Sequence, residues 1–162
     1  KRFLKQYPNL LIVNAFTKFY AMAGLRLGYL MTGDLSLLHA VAQQLPEWNV
    51  SSIAQRAGIS ALKDTEYEKR TRQLIEKERR YLIQEFLKMG CTVFPSEADY
   101  ITFRLPQEKT GFLLKERLLE GKILIRSCAN YRNMPPDCYR IAVKQHADNE
   151  ELVRQVWRIL KQ

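Results

Sequence analysis

Histidine and cysteine are scarce in this chain: two histidines and three cysteines among 162 residues. His39 and His146 are too few for a tetrahedral metal centre, and Cys91, Cys128 and Cys138 show neither paired spacing nor histidine neighbours. A zinc or other metal site is therefore not expected. An odd, sparse set of thiols fits a reducing compartment and not a disulfide framework. No apolar stretch approaches the roughly 20 residues of a membrane span, and no signal peptide is visible. There are no internal repeats and no low-complexity segments. A cytoplasmic protein is the expectation.

What is abundant is positive charge. Twenty-six Lys and Arg stand against 17 Asp and Glu, a formal net charge of +9. Such a balance can mark a nucleic-acid or anionic-membrane surface. Here the basic residues are dispersed, and many alternate with acids on one segment: Glu66, Glu68, Lys69, Arg70, Arg72, Glu76, Lys77, Glu78, Arg79, Arg80. Alternating signs describe a solvated helix face. Neither nucleic acid nor membrane is expected as a partner, whereas phosphorylated, acidic ligands are compatible with the excess.

The order of elements is α/β. Leu10 to Val13 reads as a buried strand and Leu27 to Met31 as a second. Gly33-Asp34 turns and caps a helix from Leu35 to Leu45, which Pro46 stops. Asn49 or Ser51 caps the next helix, through Ile53 to Leu62. A long amphipathic helix follows from Thr65 to Met89, ended by Gly90. Its Leu74, Tyr81, Leu82 and Phe86 are core positions. Short strands at Cys91 to Phe94 and Tyr100 to Arg104 come next. A helix from Gly111 to Leu119 stops at Gly121. Strands at Ile123 to Arg126 and Tyr139 to Val143 then precede a last helix, Asp148 to Leu160.

One string carries chemistry. The apolar run Leu10-Leu11-Ile12-Val13 leads into Asn14-Ala15-Phe16-Thr17-Lys18, and then Phe19-Tyr20-Ala21-Met22-Ala23-Gly24-Leu25-Arg26-Leu27-Gly28-Tyr29. A lysine delivered off a buried strand can have its amine desolvated and its pKa lowered, which makes it a carbonyl-reactive nucleophile. A nearby arginine and a threonine hydroxyl are what a phosphorylated ligand needs. The plainer alternative is a solvated strand-end lysine and a surface arginine. Taken whole, the string resembles the lysine motif of fold-type I pyridoxal-phosphate enzymes, hydroxyl-Lys-x-x-x-x-Ala-Gly-Leu-Arg-x-Gly. It is most similar to the branch of histidinol-phosphate aminotransferase and threonine-phosphate decarboxylase. The resemblance implies that Lys18 holds pyridoxal 5'-phosphate as a Schiff base, with Thr17 and Arg26 on the cofactor phosphate. The family usually carries a second Ser or Thr where Ala15 stands, so one phosphate contact is missing.

Two arginines stand in strand contexts further on. Arg126 lies in Ile123-Leu124-Ile125-Arg126-Ser127-Cys128-Ala129-Asn130-Tyr131 and Arg140 in Cys138-Tyr139-Arg140-Ile141-Ala142-Val143. A guanidinium inside an apolar β segment is costly unless an anion meets it, and that anion could be a protein carboxylate or a ligand. By resemblance, Arg140 grips a substrate α-carboxylate and Arg126 helps bind a substrate phosphate. The run from Arg126 to Tyr131 is similar to the Arg-Asp-Cys-x-Asn-aromatic motif of threonine-phosphate decarboxylase-like proteins, with Ser127 in place of the acid. Trp48-Asn49-Val50-Ser51 resembles a segment lining the mouth of the same sites, which makes Asn49 a candidate substrate contact. It reads equally as a helix N-cap beside a buried Trp. Tyr20 and Tyr131 could reach the pocket or only pack. Cys128 and Cys138 are most simply small buried residues.

The resemblance implies the C-terminal part of the fold-type I fold: the end of the large-domain sheet plus the small α/β domain. Residues 1–63 would be the remnant of the large domain, 64–90 an inter-domain helix and 91–162 the small domain. The chain starts in mid-element without Met, as expected of part of a longer protein. The implied activity is decarboxylation of L-threonine O-3-phosphate to (R)-1-aminopropan-2-ol O-phosphate for cobalamin synthesis. Histidinol-phosphate aminotransfer is the alternative, and a pyridoxal-phosphate-sensing domain of a transcription regulator a more remote one. Related enzymes are dimers, so a homodimer is expected of the full-length protein, and inactivity of these 162 residues alone.

Overall fold

The computed structural model describes residues 2–109, 111 and 113–161. It divides into two compact units, one through Glu68 and one from Lys69.

The first unit opens with a short helix, α1 (Arg2–Gln6), and an antiparallel ribbon of β1 (Leu11–Ala15) and β2 (Gly28–Thr32), with Leu11 opposite Thr32 and Ala15 opposite Gly28. Helix α2 (Leu35–Gln44) starts where the Asp34 carboxylate accepts the amides of Ser36 and Leu37. It stops where Leu45 turns extended, the conformation a following proline imposes. Helix α3 (Ser52–Lys63) is capped by Ser51, whose hydroxyl accepts the Ala54 amide. The expected cap choice between Asn49 and Ser51 thus falls on Ser51.

Two expectations for this unit are corrected. Strand β1 is not buried: Val13 is 71% exposed and most of the strand faces solvent. A ribbon with one hydrogen-bonded neighbour cannot cover both of its faces. Trp48 is not buried either. It is 95% exposed and its backbone is left-handed (φ 57°). Among the described residues through Glu68, only Phe16, Ala54 and Gly58 are buried.

Helix α4 (Thr65–Lys88) begins in the first unit and continues into the second. Its C-terminus is a Schellman turn. The Cys91 amide donates to the Phe86 carbonyl, the Gly90 amide donates to Leu87, and Gly90 takes the left-handed φ of 79° that the motif requires. Beyond it lie β3 (Thr92–Val93), β4 (Tyr100–Arg104), α5 (Leu114–Glu120), β5 (Arg126–Ser127), β6 (Cys138–Ala142) and α6 (His146–Leu160). The strands form one antiparallel sheet in the order β3-β4-β6-β5.

Alternation along β4 and β6 sorts the residues. Ile101, Phe103, Tyr139 and Ile141 join Leu82 and Phe86 of α4, Leu114 and Leu118 of α5, and Leu152, Val153, Val156 and Ile159 of α6 in one core. Phe86 and Phe103 meet at its centre, ring centroids 4.3 Å apart. Each such side chain contributes about 1.5–3 kcal/mol on burial.

The expected strand from Ile123 pairs only at Arg126 and Ser127. Lys122, not Gly121, is the left-handed residue after α5 (φ 62°), and the Ile123 amide is spent on the Leu118 carbonyl. Helix α5 starts at Leu114; the beginning expected near Gly111 runs through Phe112, outside the described residues.

Candidate active site

Lys18 sits in a tight turn between the two ribbon strands. The ribbon closes above Ala15 with the Phe16 amide donating to the Leu27 carbonyl, 3.0 Å. The Ala21 amide then donates to the Lys18 carbonyl at 2.9 Å, and Met22 to Phe16 at 3.3 Å. The Lys18 side chain is exposed and meets no acidic partner among the described residues. The desolvated amine anticipated from the sequence is not found here, because the strand that delivers it is itself exposed.

The turn is nevertheless well braced. Phe16, 5% exposed, stacks on Tyr20 at 5.1 Å and makes a T-shaped contact with Tyr29 at 5.8 Å. Tyr20 also stacks on Tyr67, the third residue of α4, at 6.0 Å. Helix α3 supplies the floor. A Cβ on Gly58 would come within 2.5 Å of the Leu27 Cδ2 methyl, so glycine lets the helix pack on the loop without displacing that side chain, while Phe16 at 3.8 Å would be in ordinary contact.

Arg26 ends the loop's single 3-10 turn (Ala23–Leu25) in the left-handed region, φ 51°. One Nη donates to the Ala23 carbonyl at 3.1 Å, which leaves other guanidinium donors for a ligand. Thr17 is half-buried beside Lys18. A primary amine, a hydroxyl and a guanidinium suit a phosphorylated carbonyl compound. The charge agrees, since no Asp or Glu occurs before Asp34. The donor set therefore fits pyridoxal phosphate. Asn49 is exposed and forms no hydrogen bond among the described residues.

In the second unit the two singled-out arginines are brought together. Arg126 and Arg140 are direct cross-strand partners, and Thr102 faces Arg140 from the other side. All three lie on the sheet face opposite the core. Like charges directly opposed on a sheet repel, and neither arginine has a carboxylate partner among the described residues. Each leans on an aromatic ring: Arg126 lies 5.4 Å from the centroid of Tyr131, Arg140 4.7 Å from that of Tyr100. The sequence-based concern about a buried guanidinium does not apply, because Arg126 is exposed and Arg140 half-buried. A paired arginine does exist one step along: Arg104 Nε donates to Asp137 Oδ2 at 2.9 Å.

The thiols add detail. Cys128 and Cys138 are fully buried and joined through the backbone, the Cys128 amide donating to the Cys138 carbonyl at 2.9 Å. Burial raises the Cys128 thiol against the opposing pull of Arg140 and Arg126. Burial pushes Cys91 up to about 12. Cys128 and Cys138 are packing residues, as the sequence suggested, and Cys91 is buried as well. Sequence reasoning missed Tyr67 and Tyr100, which have no spacing signal; only the fold brings them to the lysine turn and to Arg140.

Comparison with known proteins places these geometries in context. A family model described as aminotransferase class I and II matches residues 2–156. Threonine-phosphate decarboxylase of Salmonella typhimurium is 35% identical over 158 residues, 97% of this chain and 43% of that protein. Histidinol-phosphate aminotransferase of Oleidesulfovibrio alaskensis is 32% identical over 160 residues, 98% of this chain and 41% of that protein. The solved structure of histidinol-phosphate aminotransferase from Clostridium acetobutylicum superposes with a TM-score of 0.90 at 32% identity, covering 98% of this chain and 48% of that one. The chain thus spans less than half the length of each of these three relatives. It belongs to the aminotransferase class I and II family and carries part of the fold-type I pyridoxal-phosphate transferase fold.

Proposed function

We propose that the full-length protein is a pyridoxal-phosphate-dependent lyase that decarboxylates L-threonine O-3-phosphate to (R)-1-aminopropan-2-ol O-phosphate, a step of cobalamin synthesis. The observation that carries this reading is the cross-strand pair Arg126 and Arg140, two arginines side by side with no carboxylate partner among the described residues. A substrate with a carboxylate at one end and a phosphate at the other answers both charges. The likeness to a decarboxylase at 35% identity supports it.

Lys18 would bond the cofactor through its Nζ, with the Thr17 hydroxyl and Arg26 guanidinium on the cofactor phosphate. When bound, that group supplies an electron sink for whichever bond at the substrate Cα stands perpendicular to its ring. Arg140 holds the α-carboxylate with two parallel N–H donors and Arg126 neutralises the phosphate. Asn49 is a further candidate contact. Together these anchors fix the angle at which Cα is presented, and a shift of about 1 Å changes rates about a hundredfold. Lys18 Nζ would also be the group that carries a proton to or from the substrate Cα in this reading. The protein acts as a homodimer, without nucleic acid or membrane.

Histidinol-phosphate aminotransfer is the second reading, favoured by the likeness of sequence and structure to such enzymes. One experiment separates them. The full-length protein is loaded with pyridoxal phosphate, reduced with borohydride and mapped by mass spectrometry, then assayed. An adduct on Lys18 with CO₂ released from phosphothreonine, without 2-oxoglutarate, supports the lyase. An adduct with turnover only when 2-oxoglutarate accepts the amine supports the aminotransferase. No adduct on Lys18 overturns both.

A further inference from the structure

The turn that presents Lys18 has a weak point, and one residue distant in sequence sits on it. In a four-residue turn closed by the first carbonyl and the fourth amide, those two groups are satisfied by the turn itself. The carbonyl of the second residue is not. The central peptide, between the second and third residues, is the one whose orientation differs between the two common turn types. In the turn Lys18–Ala21 that central peptide joins Phe19 to Tyr20, and its oxygen is the Phe19 carbonyl. The Tyr67 hydroxyl donates to this oxygen at 2.9 Å, across 48 positions of sequence.

Tyr67 is itself held. The Asp64 carboxylate accepts the Tyr67 amide at 2.8 Å, while the Asp64 amide donates to Ala61 at the end of α3. The Tyr67 ring stacks on Tyr20 and meets the Phe19 ring in a T-shaped contact at 6.3 Å. A chain of contacts thus runs from the α3–α4 corner through Asp64 and Tyr67 to the peptide bond next to Lys18. All of it lies within the first unit.

We propose that Tyr67 is a positioning residue: its hydroxyl pins the Phe19–Tyr20 peptide in one orientation and so fixes the direction in which the Lys18 side chain leaves the backbone. Tyr67 touches neither cofactor nor substrate in this role. The inference rests on the reading of Lys18 as the cofactor lysine and adds what holds that lysine ready. An exposed lysine has many rotamers, and a turn with two peptide orientations would multiply them. Removing the second source of freedom lowers the ordering cost of forming a bond at Nζ.

The test uses the full-length protein and Tyr67→Phe, which deletes the hydroxyl and keeps the ring. A second variant, Phe19→Ala, keeps the backbone carbonyl that Tyr67 meets but removes the T-shaped ring contact. Three quantities are read: amide hydrogen exchange of residues 16–22 without cofactor, the Kd for pyridoxal phosphate, and the borohydride adduct on Lys18. The expected result for Tyr67→Phe is exchange faster by about fivefold, as for one lost net hydrogen bond. The Kd rises by a similar factor, the adduct remains on Lys18, and exchange in α6 is unchanged. In Phe19→Ala the pattern is milder than in Tyr67→Phe. Exchange and Kd both unchanged in Tyr67→Phe, with a wild-type adduct on Lys18, overturn the positioning role alone. A wild-type protein with no adduct on Lys18 overturns this inference together with the cofactor reading.

Discussion

Arg126 and Arg140 face each other across β5 and β6 with no acidic partner among the described residues, an arrangement that costs the unliganded sheet stability. Like charges directly opposed on a sheet cost about 0.5 kcal/mol. Arg126→Gln is therefore expected to raise the melting temperature of the ligand-free protein slightly. The same substitution should remove the stabilisation that added inorganic phosphate gives the wild type. Thermal unfolding with and without phosphate checks both halves; equal phosphate stabilisation of the two proteins would sink the idea of an anion clamp. Arg140→Lys keeps the charge and loses the planar fork. Under the proposed function, kcat/KM should fall by about tenfold or more, about 1.4 kcal/mol, in steady-state assays of the full-length protein. The Asp137 carboxylate shows the contrast: it is 3% exposed, pairs with Arg104, and its Oδ1 meets no hydrogen-bond partner among the described residues. An arginine meant to stay structural has its acid beside it.

Helix docking in the second unit depends on one buried carboxylate. Glu78 of α4 is 1% exposed, and its Oε2 accepts from Asn149 Nδ2 at 3.1 Å and lies 3.0 Å from His146 Nδ1, both at the start of α6. Burial alone would raise its pKa. The hydrogen bonds from Asn149 and His146, with the charges of His146 and Lys77, outweigh burial and leave it lowered. A carboxyl held below its unfolded value stabilises the fold above the ordinary glutamate range, and that contribution is lost as pH falls through the folded value. Glu78→Gln should thus cost about 1–3 kcal/mol at pH 7 and lose less stability than the wild type between about pH 5 and 3. Urea titrations across that range measure it, and parallel pH profiles would refute the assignment. Gly90→Ala, at the left-handed end of α4, should cost about 1 kcal/mol, read from the same titrations.

These elements also mark what the sequence discloses. Helices α2, α3 and α4 are legible from local signals: the Asp34 cap and Pro46 stop of α2, a polar cap before α3, and the amphipathic run of α4 ended by Gly90. The start of β5 was not legible, because the Ile123 amide is taken by a carbonyl of the preceding helix, a bond invisible in the apolar run Ile123-Leu124-Ile125. Lys18, Thr17 and Arg26 could be singled out because a contiguous string carries them. That Arg126 and Arg140 would be register partners, or that Tyr67 would reach Phe19, depends on pairings made by tertiary structure.

On the scale of the whole molecule, apolar burial is unequal. Among the described residues, the large cluster of buried side chains runs from Leu82 to Ile159, entirely in the second unit. The first unit exposes Val13, Leu35, Trp48 and Ile53, each by 70% or more. Hydrophobic burial is the dominant favourable term in folding, so the two units of the 162-residue chain should not share one stability. Native-state hydrogen exchange on this chain is expected to find amides of β4, β6 and α6 opening only with global unfolding. Amides of β1 and β2 should open at free energies several kcal/mol lower. Trypsin should then cut after Lys5, Lys18, Arg26 and Arg56 before it cuts within α6. Uniform protection across both units would contradict this, and would require the exposed apolar residues of the first unit to be covered in solution. Pyridoxal phosphate makes the same point by linkage: a ligand that bonds Lys18 should slow exchange in β1 and β2 and leave the already protected sheet of the second unit unchanged.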